Sequence, residues 1–251
     1  MKYVNLICLI SVFFIFDLVG QDGVLFQKGV EAFNSKNYDE AIEAFESIRE
    51  NGQFSEEIYY NLGNAYFESG DKVKAILNYE RCLKIDPFSE EARFNLKLAL
   101  EEINNDIIEV PEFILSKIWK KVHTKLGSGT WSFLFLFSFW LAIGCIIYWL
   151  LGKTRHLKKK AFLTGISMLI LSIFLYFLSS AQYKWENNKD VAIIMESMPL
   201  NSAPEVENEA IMTLDPGMKI ILLDEVSGWH KIRLKNGQVG WLRSLEQAEI
   251  L

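Results

Sequence analysis

The sequence predicts a multidomain membrane protein that combines an α-helical repeat solenoid, two transmembrane helices and a C-terminal small β-barrel. Three observations predict this fold class. Apolar residues at helical spacing recur in the N-terminal half, two long uncharged apolar runs follow, and short alternating segments with glycine turns occupy the C-terminal quarter. Half of the 251 residues are apolar, which is high for a soluble protein of ordinary charge content.

Residues 1–20 have the plan of a signal peptide. Lys2 precedes an apolar run that extends to Phe16, and the small residue Gly20 stands at the end. The apolar run is short for a membrane span, which favours a cleaved signal over the alternative of an uncleaved anchor. Under either alternative, the segment that follows is exported.

Residues 21–104 are predicted to form a short helical solenoid. The stretch Glu56–Pro87 divides into two amphipathic segments joined by Gly70 and Asp71, which suit the end of one helix and the N-cap of the next. The small residues Gly63 and Ala75 are expected where the two helices cross. Further apolar residues at helical spacing are Tyr59, Leu62, Tyr66, Tyr79, Cys82 and Leu83. This pattern resembles the tetratricopeptide repeat.

The pattern recurs one period of about 34 residues earlier and later in the chain. Gly29, Ala41 and Phe45 take the places of the glycine, the alanine and the aromatic residue in the earlier copy. In the later copy Leu96 aligns, but Lys97 stands where the glycine would be. The third copy is therefore predicted to be a lone first helix that caps the solenoid.

The resemblance implies a concave groove, because tetratricopeptide solenoids hold a peptide or a partner helix along the first helices of their repeats. Eight positions match the groove-facing positions of the family. These candidate peptide-groove residues are Phe26, Val30, Phe33, Tyr60, Asn64, Phe67, Glu68 and Phe94. Aromatic side chains suit apolar anchors, and the Asn64 amide suits a hydrogen bond to a partner. A peptide groove and simple capping contacts both remain open at this stage.

Residues 105–129 are predicted to be a linker followed by an amphipathic juxtamembrane helix. An apolar stripe at helical spacing is flanked by lysines and by Trp119. The stripe consists of Leu115, Ile118, Val122 and Leu126. This composition favours a helix lying at the membrane surface, and a helix packed on the solenoid is the alternative.

Residues 130–151 and 161–181 are predicted to be transmembrane helices, since each run is uncharged and long enough to span a bilayer. Residues 152–160 contain four lysines and one arginine, and the positive-inside rule places this loop in the cytoplasm. The solenoid and the C-terminal region are then both periplasmic. Neither run contains an ionisable residue, so the sequence favours anchors over a transport path.

Residues 182–251 show β patterning. Turn signals at Pro216-Gly217, Ser227-Gly228 and Asn236-Gly237 separate short apolar segments, and Gly240-Trp241 follows the last turn. This order resembles bacterial SH3 domains. Trp229 and Trp241 are interpreted as residues that pack the strands rather than as ligand stackers.

Charge and motif content exclude several classes of function. Residues 21–112 contain 20 acidic and 9 basic residues, a net charge of −11, which argues against nucleic-acid binding. The three histidines fall in three different segments, so the sequence predicts no metal site. No nucleotide-binding or catalytic motif is present, and we predict a non-enzyme without cofactors.

The order of segments resembles BatE-type proteins of the Bacteroides aerotolerance operon. That resemblance implies assembly with von Willebrand factor A-type membrane subunits, a link to a MoxR-type ATPase and a role in stress or oxygen tolerance. The predicted function is a non-catalytic scaffold of the bacterial inner membrane that uses periplasmic repeats and an SH3-like domain for protein–protein interaction. The alternative is a cell-wall protein that binds peptidoglycan through the SH3-like domain.

Overall fold

The structure is a computed structural model that describes residues 22–103, 113–205 and 210–251. The predicted signal peptide at residues 1–20 and residues 105–112 of the predicted linker and juxtamembrane segment lie outside the described residues. The described chain forms two compact units. One contains the repeat helices together with the C-terminal sheet, and the other contains residues 113–188.

Five helices form the repeat region. They are α1 (22–34), α2 (Tyr38–Glu50), α3 (Glu56–Ser69), α4 (Lys72–Ile85) and α5 (Glu90–Glu102). The side-chain oxygens of Ser55 and Asp71 cap α3 and α4 by accepting hydrogen bonds from backbone N–H groups at 3.3 and 3.0 Å. Gly70 ends α3 with a φ of +96°, which favours glycine. The predicted turn between these two helices is confirmed.

Glycine allows the two helices of each repeat to approach closely. A Cβ atom on Gly63 would lie 2.5 Å from the ring of Tyr79 on α4, and one on Gly29 would lie 2.7 Å from the ring of Phe45 on α2. Both aromatic rings are fully buried. The predicted close crossing at Gly63 is confirmed, and the contact between Gly29 and Phe45 allows the same close approach of α1 and α2 in the first repeat.

The C-terminal region is one antiparallel sheet of seven strands. They are β1 (Val191–Ile194), β2 (Met198–Asn201), β3 (Ala210–Leu214), β4 (Lys219–Val226), β5 (Trp229–Leu234), β6 (Val239–Leu242) and β7 (Ala248–Ile250). Their order is β3-β2-β6-β5-β4-β1-β7. Within the described residues β3 and β7 are edges that do not pair, so the sheet is open and the predicted barrel closure is not observed. Alternation along a strand determines which side chains face the core, but not whether two edge strands meet.

The hairpin between β4 and β5 turns at Ser227 and Gly228. Both residues have positive φ, at 52° and 79°, and Val226 pairs directly with Trp229. This geometry is that of the two-residue turn that matches strand twist. At Asn236-Gly237, only Gly237 has a positive φ.

The repeats and the sheet share a core, which the sequence analysis did not predict. Ile193 of β1 is fully buried in the same apolar cluster as the repeat helices, with Met195 and Leu251 packed against that cluster. At the polar edge of the contact, Arg81 of α4 pairs with Glu249 at 2.7 Å. The Nζ of Lys84 donates to the backbone oxygen of Leu251 at 2.8 Å. The apolar core of the repeat helices therefore extends into the C-terminal sheet.

The second unit contains three helices, α6 (Ile114–His123), α7 (Ser128–Leu151) and α8 (Arg155–Glu186). The last two are long and apolar enough to cross a membrane by length and composition. The basic segment is a loop only from Gly152 to Thr154, because α8 begins at Arg155 and includes the three lysines that follow. Lysine, leucine and alanine are good helix formers, so the helix extends beyond its apolar run.

Polar contacts join the three helices of this unit. The backbone N–H of Ser128, at the start of α7, donates to the carboxylate of Glu186 at 3.0 Å. Gln182 donates to the same carboxylate and pairs with the buried His123 of α6, each at 3.0 Å. Trp119 of α6 packs edge-on against Phe174 of α8. Helix α6 is therefore docked on α8, a contact that neither the membrane-surface nor the solenoid alternative predicted.

Candidate peptide groove

A hydrogen-bonded cluster forms the floor of the groove between α3 and α5. The Oδ1 of Asn64 accepts hydrogen bonds from the Tyr79 hydroxyl and from the Nδ2 of Asn95, each at 2.8 Å. Asn95 also donates to the Tyr60 hydroxyl at 3.4 Å. These bonds fix the Asn64 amide, because its oxygen is held from two helices at once.

A cavity of about 270 Å³ opens above this floor. Its lining residues come from four helices and combine apolar walls with amide and phenol groups. They are Phe33, Asn64, Phe67, Glu68, Tyr79, Asn95 and Leu98. Small-molecule pockets usually measure about 300–1,000 Å³, so this cavity suits one large side chain better than a complete ligand.

Lys72 packs on Phe67, whose side chain forms one wall of the cavity. Its Nζ lies 3.4 Å from the centroid of the Phe67 ring and donates to the Phe67 backbone oxygen at 2.8 Å. The same Nζ pairs with Glu102 of α5 at 2.9 Å. Lys72 thus fixes the Phe67 ring and ties α4 to α5, while its charge is already neutralised by a carboxylate.

Burial keeps the polar groups of the repeat core in their neutral forms. Burial, followed by the nearby Tyr60, raises the pKa of the Tyr79 hydroxyl above its usual range, so this phenol stays protonated and donates to Asn64 even in mildly alkaline solution. Burial, followed by Glu46, likewise raises the pKa of the Tyr66 hydroxyl, which donates to Glu46 at 3.0 Å. Burial raises the pKa of the Cys82 thiol to about 12. Cys82 is a packing residue, as its repeat position predicted.

The structure brings four of the eight predicted groove residues together around the cavity, namely Phe33, Asn64, Phe67 and Glu68. Tyr60 joins them through its hydrogen bond with Asn95. Phe26 and Val30 are partly buried against the repeat core, where Phe26 makes an edge-on contact with Phe45. Phe94 is 62% exposed and does not line the cavity.

Four residues that shape this site were missed by the sequence analysis, and two of them had a signal. A step of one repeat period from Asn64 leads to Leu98, and the same step from Asn61 leads to Asn95. The repeat pattern predicts Tyr79 as a core residue, and its hydroxyl also reaches the groove floor. Lys72 had no signal, because its position over Phe67 depends on how α4 follows α3.

A metal centre is not found in the part of the chain that the structure describes. There, no group of three or more His, Cys, Asp and Glu side chains could hold a metal ion. The prediction that the protein is not an enzyme stays a prediction.

Comparison with known families identifies the repeats. Residues 23–48 and residues 56–89 each match a family model of the tetratricopeptide repeat. The two matches coincide with the α1–α2 and α3–α4 pairs, which confirms two of the predicted repeats. No curated protein that was compared with the chain matches it. Tetratricopeptide repeats indicate interaction with other proteins, so the groove is a candidate for that contact.

Proposed function

We propose that the protein is a non-catalytic membrane scaffold that binds partner proteins in the groove of its tetratricopeptide repeats. The observation that carries the proposal is the cavity between Phe33, Phe67 and Leu98, with fixed hydrogen-bonding groups at its floor. Fixed polar groups beside an apolar pocket are what a peptide anchor needs, because they orient the backbone while the pocket buries one side chain.

The membrane part of the proposal rests on α7 and α8. Both helices leave most of their apolar side chains exposed, which suits contact with lipid. The repeats and the sheet precede and follow these helices in sequence, yet they pack together as one unit. Two parts of one chain can pack together only on the same side of a membrane, so an even number of crossings must lie between them, which supports a two-span anchor. The positive-inside rule places the basic segment in the cytoplasm and therefore both packed parts in the periplasm.

We further propose that the chain is a BatE-type protein and that its open sheet is an SH3-like domain. The order of repeats, two apolar helices and a C-terminal antiparallel sheet supports this assignment. Its partners would then include von Willebrand factor A-type membrane subunits and a MoxR-type ATPase system, in a complex that serves oxygen or stress tolerance.

Capture from native membranes tests the scaffold function. The full chain, a Phe33→Ala/Phe67→Ala variant and a Phe54→Ala control would be crosslinked in membranes and their partners identified by mass spectrometry. Phe54 serves as the control because it is a phenylalanine of the repeat region that stacks on Tyr59, outside the cavity lining, although it is more exposed than the partly buried Phe33 and Phe67. We expect at least a tenfold loss of specific partners for the double variant alone. Equal capture by all three chains would contradict the groove, provided that thermal melts in detergent show the double variant to be folded.

A further inference from the structure

The groove floor offers hydrogen-bond donors. Both bonds to the Asn64 side chain use its Oδ1, and within the described residues its Nδ2 has no partner. The Tyr60 hydroxyl accepts from Asn95, and none of the described side chains accepts its own proton. An amide N–H and a phenol O–H side by side suit the carbonyl groups of an extended peptide backbone.

The apolar walls select one large side chain. Phe33 and Phe67 come from equivalent positions of the first two repeats, and Leu98 closes the cavity from α5. The Phe67 ring is held in place by Lys72, so the pocket is formed before a ligand arrives. Preformed apolar pockets bind aromatic and long aliphatic anchors with little ordering cost.

The charged side chains around the cavity indicate which type of residue stands next to the apolar residue of the ligand. Glu68 is the charged residue among those that line the cavity, and it also lines a neighbouring depression of about 510 Å³. The other lining residues of that depression with formal charge are Lys36, Asp39 and Glu40. Glu40 is paired with Lys28 at 3.3 Å, so the remaining lining carboxylates, Glu68 and Asp39, face one ammonium group, that of Lys36.

The described lysines near the groove do not reverse the net negative charge of its rim. Lys72, which packs on the Phe67 ring, is paired with Glu102. Desolvation, followed by the Glu68 charge, raises the pKa of the Tyr38 hydroxyl, so this phenol stays uncharged well above neutral pH. A ligand cation therefore meets a net negative rim beside the apolar pocket.

We infer that the groove holds an extended peptide segment in which a large apolar side chain stands next to a lysine or an arginine. This inference rests on the proposed function and deepens it, since it names the ligand class. The apolar side chain fills the cavity, the backbone carbonyls accept hydrogen bonds from Asn64 and Tyr60, and the cationic side chain reaches the carboxylates at Glu68 and Asp39. Rim charges of this kind contribute mainly specificity and association rate.

A random octapeptide library, passed over the full chain held in detergent micelles, tests the ligand class. Binding would be carried out at low salt and at about 0.5 M NaCl, where charge interactions are screened, and the retained peptides would be sequenced. The parent chain and a Glu68→Gln variant would be compared under both conditions. Glu68→Gln removes the charge and keeps a side chain of nearly the same size and shape. Glu43→Gln is the matched control, since Glu43 is a glutamate of α2 outside both depressions.

The expected result is retention of peptides that carry an aromatic or long aliphatic residue beside Lys or Arg. Their affinity should fall about twofold to fivefold in Glu68→Gln, as for an exposed ion pair, and also at high salt. Retention of acidic peptides, or an unchanged preference in Glu68→Gln, would overturn the inference and leave the groove function intact. Retention that does not depend on Phe33 and Phe67, measured with the double alanine variant, would overturn both.

Discussion

Glu80 of α4 pairs with Lys219 of β4 across the contact between the repeat helices and the sheet. The two residues are 139 positions apart in sequence. The Glu80 side chain is only 7% exposed, so its carboxylate depends on Lys219 for compensation. This pair is a direct test of whether the repeats and the sheet fold as one unit.

Removal of Lys219 alone should destabilise that unit. Lys219→Met would leave a buried carboxylate without its cation, at a cost of roughly 1–3 kcal/mol in the free energy of unfolding. Removing both charges in Glu80→Met/Lys219→Met should recover most of the loss, because two apolar side chains need no pairing. The measurement is a thermal melt of the full chain in detergent, followed by limited proteolysis of the repeats and of the sheet. Protection of the repeats that does not respond to Lys219→Met would argue against the shared unit.

The helices of the repeats could be predicted because each local signal has a local cause. Gly70 needs a positive φ, Asp71 caps the next helix, and Gly63 permits the approach of Tyr79. No local sequence pattern predicts the contact of the sheet with α4. The sequence indicates an ordinary strand residue at Ile193 and an exposed helix residue at Glu80. The docking of α6 was likewise hidden, because the partner of His123 is Gln182, 59 residues away.

The groove was predictable in part for the same reason. The repeat period leads from Phe33 to Phe67, and both line the cavity. It also leads from Tyr60 to Phe94, but Phe94 is exposed while its neighbour Asn95 reaches Asn64. A period gives the helix and the approximate face, whereas the side chain that meets a partner depends on the angle between α3 and α5.

Gly63→Ala should destabilise the second repeat. The added Cβ would stand 2.5 Å from the Tyr79 ring, and that ring is buried and hydrogen-bonded to Asn64, so it cannot move away freely. Overpacking of this kind costs roughly 1–3 kcal/mol. Gly23→Ala is the matched control, because Gly23 lies in α1 and a Cβ atom added there would have no neighbour within 4 Å. The control should leave the melting temperature unchanged or raise it, and equal melting of both variants would contradict the close crossing.

The Cys82 thiol should resist alkylation in the folded protein. Burial raises the pKa of this thiol to about 12, so very little thiolate is present at pH 8, and the side chain is buried. Iodoacetamide at pH 8 should therefore modify Cys82 only after denaturation, as peptide mapping would show. Rapid modification without unfolding would mean that α4 opens locally.

The same pKa shift gives an alkaline limit to stability. Because the folded pKa of Cys82 lies above its ordinary value of 9.0, the folded state holds this proton more tightly than the unfolded state does. The stabilisation of the folded state by the protonated Cys82 thiol is fully present below about pH 9 and is lost as the pH rises towards 12. Melting temperatures measured from pH 8 to pH 11 should fall, and Cys82→Ala should fall less steeply. Parallel curves for the two chains would assign the alkaline loss to other groups, such as the Tyr66 and Tyr79 hydroxyls.

The contact between repeats and sheet also predicts the membrane topology. Arg81 and Glu249 form an ion pair although two candidate spans separate them in sequence, so a two-span anchor is expected to keep both residues on one side of the membrane. A reporter that is active only outside the cytoplasm should work when fused after Leu251 and fail when inserted at Lys158. A reporter that needs the cytoplasm should give the opposite result. Activity of the same reporter at both positions would mean that α8 does not cross the membrane, and a two-span anchor would then be wrong.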